Sequence, residues 1–168
     1  MISYFVPNLL GVVKLLFYLF LGTFLFDVLL LFQNKTGIQA ERILPEKLSN
    51  GDDNAIYINV INRYRFKASI RLIDELPIQW QIRDFEITSL IDSAQEKKFT
   101  YTVRPTQRGE YYFGNLNVYA ATVLGLASRR QQFAAEAMVP NYPSFLQLRK
   151  YDFIAFTNRL KLFGLKKI

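Results

Sequence analysis

The stretch AIYINVINRYRFKASIRLID, residues 55–74, alternates between apolar and polar side chains along most of its length. Successive side chains of a β-strand point to opposite faces of the sheet. The alternation therefore predicts antiparallel strands with one buried face and one solvated face. The even-numbered apolar set is Ile56, Ile58, Val60, Tyr64, Phe66, Ala68, Ile70 and Leu72, and the odd-numbered basic set is Arg63, Arg65, Lys67 and Arg71.

Two further segments continue this β pattern on the C-terminal side. One follows Pro77 and the other follows the polar segment IDSAQEKK, residues 91–98. Short alternating strands separated by turns predict an immunoglobulin-like antiparallel β-sandwich, which we place at residues 54–142. The alternating apolar residues are Ile78, Trp80 and Ile82 in the first segment, and Phe99, Tyr101 and Val103 in the second.

The segment RPTQRGEYYFG, residues 104–114, combines turn residues with aromatic residues. Pro105 cannot donate a hydrogen bond to a sheet, and it biases Arg104 towards an extended conformation. Gly109 has the conformational freedom that a turn requires. These residues predict a tight connection between two strands over residues 104–109.

The apolar positions change phase directly after this connection. Tyr111 and Phe113 are odd-numbered, whereas Leu116 and Val118 are even-numbered. A shift of one residue would turn every apolar side chain to the wrong face unless the chain accommodates an extra residue. We therefore predict a bulge at Gly114–Asn115, or a strand that crosses there from one sheet to the other.

The composition excludes several classes of enzyme. The 168 residues include no histidine and no cysteine, which removes Ser-His-Asp triads, cysteine nucleophiles and ordinary zinc sites. The polar segment SNGDDN, residues 49–54, lacks the spacing of a calcium-binding EF-hand loop. We predict no catalytic residue, no cofactor and no metal ligand. The net charge of +7 favours an acidic partner or anionic lipid.

An apolar run from Leu9 to Phe32 precedes the β pattern. About 24 helical residues reach roughly 36 Å, enough to cross a hydrocarbon core of about 30 Å. We assign residues 1–35 to a transmembrane anchor and residues 36–53 to a linker. A signal peptide is the competing interpretation, but no basic segment precedes the run and no small-residue cleavage site follows it.

Charged residues within and after the run bear on its environment. Lys14 and Asp27 are candidate intramembrane polar contacts, with Asp27 either near the headgroups or facing a neighbouring helix. Lys35, Arg42 and Lys47 follow the run, and no basic residue precedes Lys14. The run therefore predicts a single-pass protein, and the positive-inside rule places its main domain in the cytoplasm.

Four arginines are candidate contacts for a partner. Arg104 and Arg108 could grip phosphate or nucleic acid beside aromatic side chains, although neutralising nearby carboxylates is the simpler interpretation. The segment SRRQQ, residues 128–132, predicts an exposed turn whose Arg129 and Arg130 could contact lipid headgroups or a protein. Nucleic acid is the less favoured partner.

The last segment, residues 143–168, predicts a helix that begins with a capping box at Ser144 and Gln147. Its apolar residues spread around most of the helix, so it requires cover on several sides. We expect that cover to come from a C-terminal domain that lies beyond Ile168.

Five motifs taken in order resemble the N-terminal portion of the domain of unknown function 58 family of bacterial membrane proteins. The resemblance implies transmembrane helices, a β-sandwich and a following region with a von Willebrand factor A-like fold. It also implies as partners a MoxR-type AAA+ ATPase and von Willebrand factor A-type membrane proteins. The motifs are ERILPEKLSNGDDN, IDELPIQWQIRDF, RPTQRGEYYFGNLNVY, LGLASRR and VPNYPSFLQLRKY.

The sequence therefore favours a membrane-anchored, non-catalytic scaffold or interaction module that works near an AAA+ ATPase. The alternative is a basic surface module that binds anionic lipid or nucleic acid.

Overall fold

The computed structural model describes residues 7–143, with side chains described from residue 10. This part of the chain contains one long helix, α1 (Pro7–Phe32), followed by ten strands. The strands are β1 (Ile38–Ile43), β2 (Leu48–Ser49), β3 (Asn54–Asn62), β4 (Ala68–Asp74), β5 (Glu86–Ile91), β6 (Glu96–Val103), β7 (Gly109–Phe113), β8 (Leu116–Ala121), β9 (Ser128–Phe133) and β10 (Ala137–Tyr142). The predicted C-terminal helix lies outside the described residues.

The strands form three sheets around one core. Their orders are β1-β3-β6, β2-β10-β7 and β5-β4-β8-β9, and every pairing is antiparallel except the short one between β2 and β10. Buried side chains from all three sheets belong to a single apolar cluster. The molecule is mainly β, and the predicted immunoglobulin-like sandwich is confirmed.

The alternation that predicts the sandwich holds in the structure. In β3, Ile56, Ile58 and Val60 are fully buried, and in β4 so are Ile70 and Leu72. The basic side chains of the opposite phase are exposed in the β3–β4 turn and on the outer face of β4. One phase of the pattern therefore supplies the core, as expected for a strand with one solvated side.

The predicted change of phase at Gly114–Asn115 is a crossing between sheets. Strand β7 pairs with β10, whereas β8 pairs with β4 and β9, so the chain changes sheet between Phe113 and Leu116. The Glu75 carboxylate accepts the backbone N–H of Asn115 at 2.8 Å, and Gly114 donates to the Glu75 carbonyl at 2.9 Å. These bonds replace the ladder bonds that the crossing interrupts.

The prediction of a strand over Ile78–Ile82 is wrong. Residues Ile78–Trp80 form a short 3₁₀ helix, and Gln81 has a left-handed φ of 54°. Ile78 is 87% exposed and Ile82 is 50% exposed, so their alternation does not mark a buried face. Pro77, which lacks an N–H donor, ends the strand pattern before this segment.

Two other segments are more ordered than their sequences indicate. Residues 128–132, which predict an exposed turn, lie in strand β9 at an edge of the four-stranded sheet. Residues 36–53, which we assign to a linker, contain β1 and β2, and β1 pairs with β3 over six residues. Both β9 and β1 are rich in polar residues because each is an edge strand with one face in water.

A buried ionic cluster holds the sheets together. Arg42 of β1 forms an ion pair with Asp74 of β4, and both side chains are fully inaccessible to solvent. The Tyr101 hydroxyl of β6 donates to the same carboxylate at 2.6 Å. Arg42 also donates to the carbonyl of Gly114 at 2.9 Å and to that of Ala135. One guanidinium therefore joins β1, β4, the crossing and the β9–β10 connection.

Burial sets the protonation behaviour of this cluster. Desolvation raises the pKa of the Asp74 carboxyl, and the Arg42 charge opposes that shift. Desolvation also raises the pKa of the Tyr101 hydroxyl, and the neighbouring Asp74 carboxylate raises it further. The phenol therefore keeps its proton in the folded chain, where it serves as a donor.

We predict that the free energy of unfolding of Tyr101→Phe falls less steeply with rising pH in the alkaline range than that of the unsubstituted chain. Above pH about 10 the unfolded chain releases this proton while the folded chain retains it, so unfolding becomes easier by up to about 1.4 kcal/mol per pH unit. Urea unfolding, followed by fluorescence of the single Trp80, measures the slope between pH about 9 and 11.5. Val103→Ala, which removes packing in the same strand but no hydroxyl, should lower stability without changing this slope. An unchanged slope in Tyr101→Phe would contradict the assignment.

Candidate functional site: the junction between helix and sandwich

Most of α1 is uncovered apolar surface. Large side chains along Leu10–Phe26 are exposed, with values that range from 37% for Phe24 to 67% for Tyr18. The segment Leu10–Phe32 is long and apolar enough to cross a membrane, and a signal sequence meets the same criterion. A stable water-exposed helix normally carries a polar face, which this helix lacks. The exposed part of α1 therefore requires a nonpolar environment.

The helix meets the sandwich through a buried carboxylate. Asp27 is completely inaccessible to solvent, although it lies more than one turn before the end of α1. Its carboxylate accepts the hydroxyl of Thr122 and, at 2.9 Å, the backbone N–H of Ala127. The Thr122 oxygen also accepts the N–H of Leu124 at 3.2 Å. The Asp27 carboxylate thus bonds to the first and the last residue of the β8–β9 loop, residues 122–127.

Arg129 of β9 caps the end of the helix. Its guanidinium donates to the carbonyls of Leu31 at 2.9 Å and Asn34 at 2.6 Å, and to that of Lys35 at 3.1 Å. It also lies over the Phe32 ring, 5.1 Å from the centroid. The last turn of α1 contains no basic residue of its own. A cation from the sandwich therefore satisfies the free carbonyls and the negative end of the helix dipole.

Tyr64 completes this cap from the other side. Its hydroxyl donates to the Leu31 carbonyl at 3.1 Å, and its side chain is 2% exposed. Burial raises the pKa of the Tyr64 hydroxyl, against an opposing influence of Arg129. The hydroxyl therefore keeps its proton and donates to the Leu31 carbonyl, which also accepts from Arg129.

The short connection between α1 and β1 is held by bonds to the β3–β4 turn. The Asn34 amide donates to the Arg63 carbonyl at 2.9 Å, and the Arg63 N–H donates to the Gly37 carbonyl at 2.8 Å. Gly37 lies against the ring of Tyr64, so that a β-carbon at position 37 would overlap the ring. Helix and sandwich are thus joined by a packed turn. We call the contacts of Asp27, Leu31, Asn34, Tyr64 and Arg129 the junction.

The structure assigns different positions to the predicted contact residues near the helix. Asp27 faces the sandwich, whereas Lys14 is exposed on α1 and bonds to no other residue of the described range. Arg129 is part of the junction. Arg130 lies on the opposite face of β9, where it donates to the Asn117 side chain at 2.8 and 3.1 Å.

Arg104 and Arg108 lie at the other end of the sandwich. Strand β3 runs from this end, at Asn54, to the junction end, at Asn62, over about 26 Å at 3.3 Å per residue. Arg104 donates to the Gly51 carbonyl at 2.6 Å and ties two loops together. Arg108 is exposed and makes no side-chain bond within residues 7–143. We call the loops 49–53 and 104–108, with the end of β10, the far pole.

The far pole is built from turns. Gly109 has a φ of 133°, a conformation that favours glycine, and residues 104–108 connect β6 to β7 as predicted. In the polar turn 49–54 the side chains bond each other: Ser49 donates to Asp52, and Asn54 accepts the Ser49 N–H at 2.9 Å. Among the described residues no group of three or more acidic side chains is placed to hold a metal ion.

The sequence indicates some of these features but not the junction. Arg129 and Asp27 stand out as charged residues, yet their partners lie about 95 to 100 positions away in the chain. Tyr64 and Thr122 carry no recognisable motif. An arginine near the start of an edge strand gives no indication that it caps a helix.

No protein-family model matches this chain, and no curated protein matches it. Three solved structures give partial matches of similar extent. A PapD-like domain of human CEP192 is 14% identical, with 64% of this chain and 87% of that chain covered and a TM-score of 0.48. The CARDB domain of a Pyrococcus furiosus protein is 18% identical, covering 64% and 93%, at a TM-score of 0.43. The C-terminal domain of wzt is 11% identical, covering 65% and 75%, at 0.45.

We predict that Arg129→Met destabilises the junction. It leaves three carbonyls at the helix end without their charged donor, which should lower the free energy of unfolding by about 1.5–3 kcal/mol. Hydrogen exchange should also accelerate at residues 33–37. Urea unfolding in detergent micelles and exchange mass spectrometry measure both effects. Arg130→Met is the matched control, since within residues 7–143 the side chain of the neighbouring Arg130 hydrogen-bonds only with Asn117. Equal effects of the two substitutions would contradict a specific role for Arg129.

Proposed function

We propose that this chain is a membrane-anchored, non-catalytic interaction module. In this proposal α1 spans the bilayer, the junction fixes the sandwich at the cytoplasmic surface, and the far pole receives a protein partner. The observation that carries it is the uncovered apolar length of α1, joined to an ordered sandwich by buried polar contacts.

The junction favours a permanent anchor over a cleaved signal sequence. Leu31 and Asp27 are both fully buried against the sandwich. Removal of the helix would leave Thr122 and the Ala127 N–H without their acceptor, and unsatisfied buried groups cost about 1–3 kcal/mol each. The end of α1 is thus part of the packed structure of the domain.

The distribution of charge supports the cytoplasmic side. Exposed basic residues surround the end of α1, among them Lys35, Arg63 and Arg65, whereas no basic residue precedes Lys14. Cations beside the end of a membrane span favour the cytoplasmic face and are attracted to anionic headgroups. The same residues would give the chain affinity for anionic lipid without a separate lipid-binding function.

A labelling experiment tests anchoring and orientation together. The natural chain has no cysteine, so Asp53→Cys introduces a single thiol at an exposed position of the far pole. We expect an impermeant maleimide to label it in inverted inner-membrane vesicles and not in intact spheroplasts. We also expect the chain to resist extraction with alkaline carbonate. Labelling in spheroplasts would reverse the orientation, and carbonate extraction or loss of an N-terminal tag would overturn the anchor.

The partner follows from the resemblance to the domain of unknown function 58 family. We propose a MoxR-type AAA+ ATPase, with von Willebrand factor A-type membrane proteins as further members of the assembly. The far pole suits this role because it is the end opposite α1, and because Arg108 is an unengaged cation there. Arg104, which holds the Gly51 loop, would support the surface.

We predict that Arg108→Glu weakens binding to the MoxR-type ATPase of the same organism. Reversal of a charge at an interface can cost several kcal/mol, so the dissociation constant should rise at least about tenfold. Biolayer interferometry with the detergent-solubilised chain measures the change.

Arg71→Glu is the control, since Arg71 lies on an outer sheet face away from the far pole and packs on Tyr119. No binding by the unsubstituted chain would remove the ATPase from the proposal. Equal losses in both variants would remove the far pole as its site.

A further inference from the structure

We propose that the β8–β9 loop, residues 122–127, is a second membrane contact whose apolar tip inserts into the bilayer beside α1. This inference rests on the proposed membrane span of α1. It adds an interaction surface on the sandwich itself, and the occupant is the acyl region of the lipid.

The first argument is the path of β9 along the helix. The side chain of Gln131 accepts the Ile38 N–H at 2.9 Å, Arg129 donates to Leu31 and Asn34, and Ala127 donates to Asp27. As β9 is followed back towards the loop, its contacts therefore move from β1 into α1. The ends of the loop therefore lie beside the helix at the level of Asp27.

This position places the loop below the membrane surface. The candidate span Leu10–Phe32 has 23 residues. If it is centred in a core of about 30 Å, Asp27 lies roughly 9 Å from the midplane, which is about 6 Å inside the boundary. The base of the loop is bonded to Asp27 and shares that depth. The tip cannot remain in bulk water while the helix occupies the membrane.

The composition of the tip suits this environment. Val123 is 75% exposed, Leu124 is 59% exposed and Leu126 is 39% exposed, and the intervening Gly125 has a φ of 66°. None of residues 122–127 is ionisable. Exposed aliphatic side chains grouped on one turn mark an interaction surface. Here the loop that carries them is bonded at both ends to Asp27 of α1, whose own surface is largely exposed and apolar.

The end of α1 carries cations that suit the headgroup level. Arg65 lines a groove beside the helix end together with Leu30 and Gln33, and Lys35 and Arg63 are exposed nearby. Cations at this level are attracted to an anionic membrane surface. The Asp27 carboxylate is not exposed to lipid, because the loop supplies its hydrogen-bond donors, Thr122 and the Ala127 N–H, at that depth. The loop therefore satisfies the intramembrane carboxylate and contributes apolar side chains to the lipid.

Site-directed spin labelling tests the inference on the full chain. A nitroxide is attached to Leu124→Cys, to Leu25→Cys on the helix and to Ile82→Cys on the sandwich, all exposed positions in a cysteine-free chain. The chains are placed in phosphatidylcholine–phosphatidylglycerol vesicles. We expect the ratio of collisions with oxygen to collisions with a water-soluble nickel complex to be several-fold higher at positions 124 and 25 than at 82.

The possible outcomes separate the two proposals. A water-like ratio at 124 with a lipid-like ratio at 25 would overturn the loop contact and leave the anchor intact. A water-like ratio at both positions would overturn the anchor as well. Low collision rates with both reagents at 124 would show that protein covers the loop, either a second copy or a partner helix, and would also overturn the lipid contact.

A tip variant checks that insertion depends on apolar character. Val123→Asp places a charge at the tip, which is unfavourable in the hydrocarbon region. In that background the ratio at 124 should fall towards the value at 82, while the ratio at 25 should not change. Val123→Ile is the matched control and should preserve the ratio at 124. Trp80 fluorescence confirms that each variant is folded; a tip charge that left the ratio at 124 unchanged in a folded chain would overturn insertion.

Discussion

A carboxylate within an apolar helix has to find hydrogen-bond donors, because an isolated buried charge is very unfavourable. Within the described part of the chain, Asp27 finds them in the sandwich, at Thr122 and Ala127. This requirement fixes the rotation of α1 about its own axis, since the carboxylate must face the β8–β9 loop. Once the rotation is fixed, the end of the helix meets Arg129 and Tyr64, whose bonds to the Leu31 carbonyl then fix its position along the axis.

The interior of the sandwich is organised by a second charged group. Arg42 connects the first strand of the sandwich to β4, to the crossing at Gly114 and to the segment before β10. A buried ion pair contributes little net stability, but the loss of one partner is strongly destabilising. Arg42 and Asp74 therefore help to select this arrangement of the sheets more than they add to the free energy of unfolding. Arg42 also lies 4.9 Å from the centre of the Phe113 ring, at the end of β7 where the crossing begins.

Local patterns in the sequence predict the strands that line the core, because burial of one face leaves a period of two in β3, β4 and β6. They also predict the crossing at Gly114, since the phase of the pattern must change there. They do not predict β1 and β9, whose edge positions allow polar residues on the solvated face. The alternation at Ile78 and Ile82 misleads because periodicity carries no information on whether a partner strand is available.

The junction could not be predicted from local sequence patterns, for a different physical reason. The bonds from the β8–β9 loop and Arg129 to Asp27, Leu31 and Asn34 join residues about 95 to 100 positions apart. The acceptors of Arg129 are backbone carbonyls, which every residue possesses. The identities of Leu31 and Asn34 do not indicate that their carbonyls lack a partner within the helix. The need for a cap follows from the helix end, but which arginine supplies it depends on how the sheets are packed.

The separation of the two ends of the sandwich has a mechanical consequence. The chain enters the domain at the junction and leaves β10 at the far pole, about 26 Å away by the length of β3. Only five residues lie between Phe32 and Ile38, and the turn they form is bonded to Arg63 and Arg129. A pull or torque applied at the far pole would therefore pass through the antiparallel ladders to the helix with no flexible hinge to absorb it. The helix and the sandwich would then turn together as one unit.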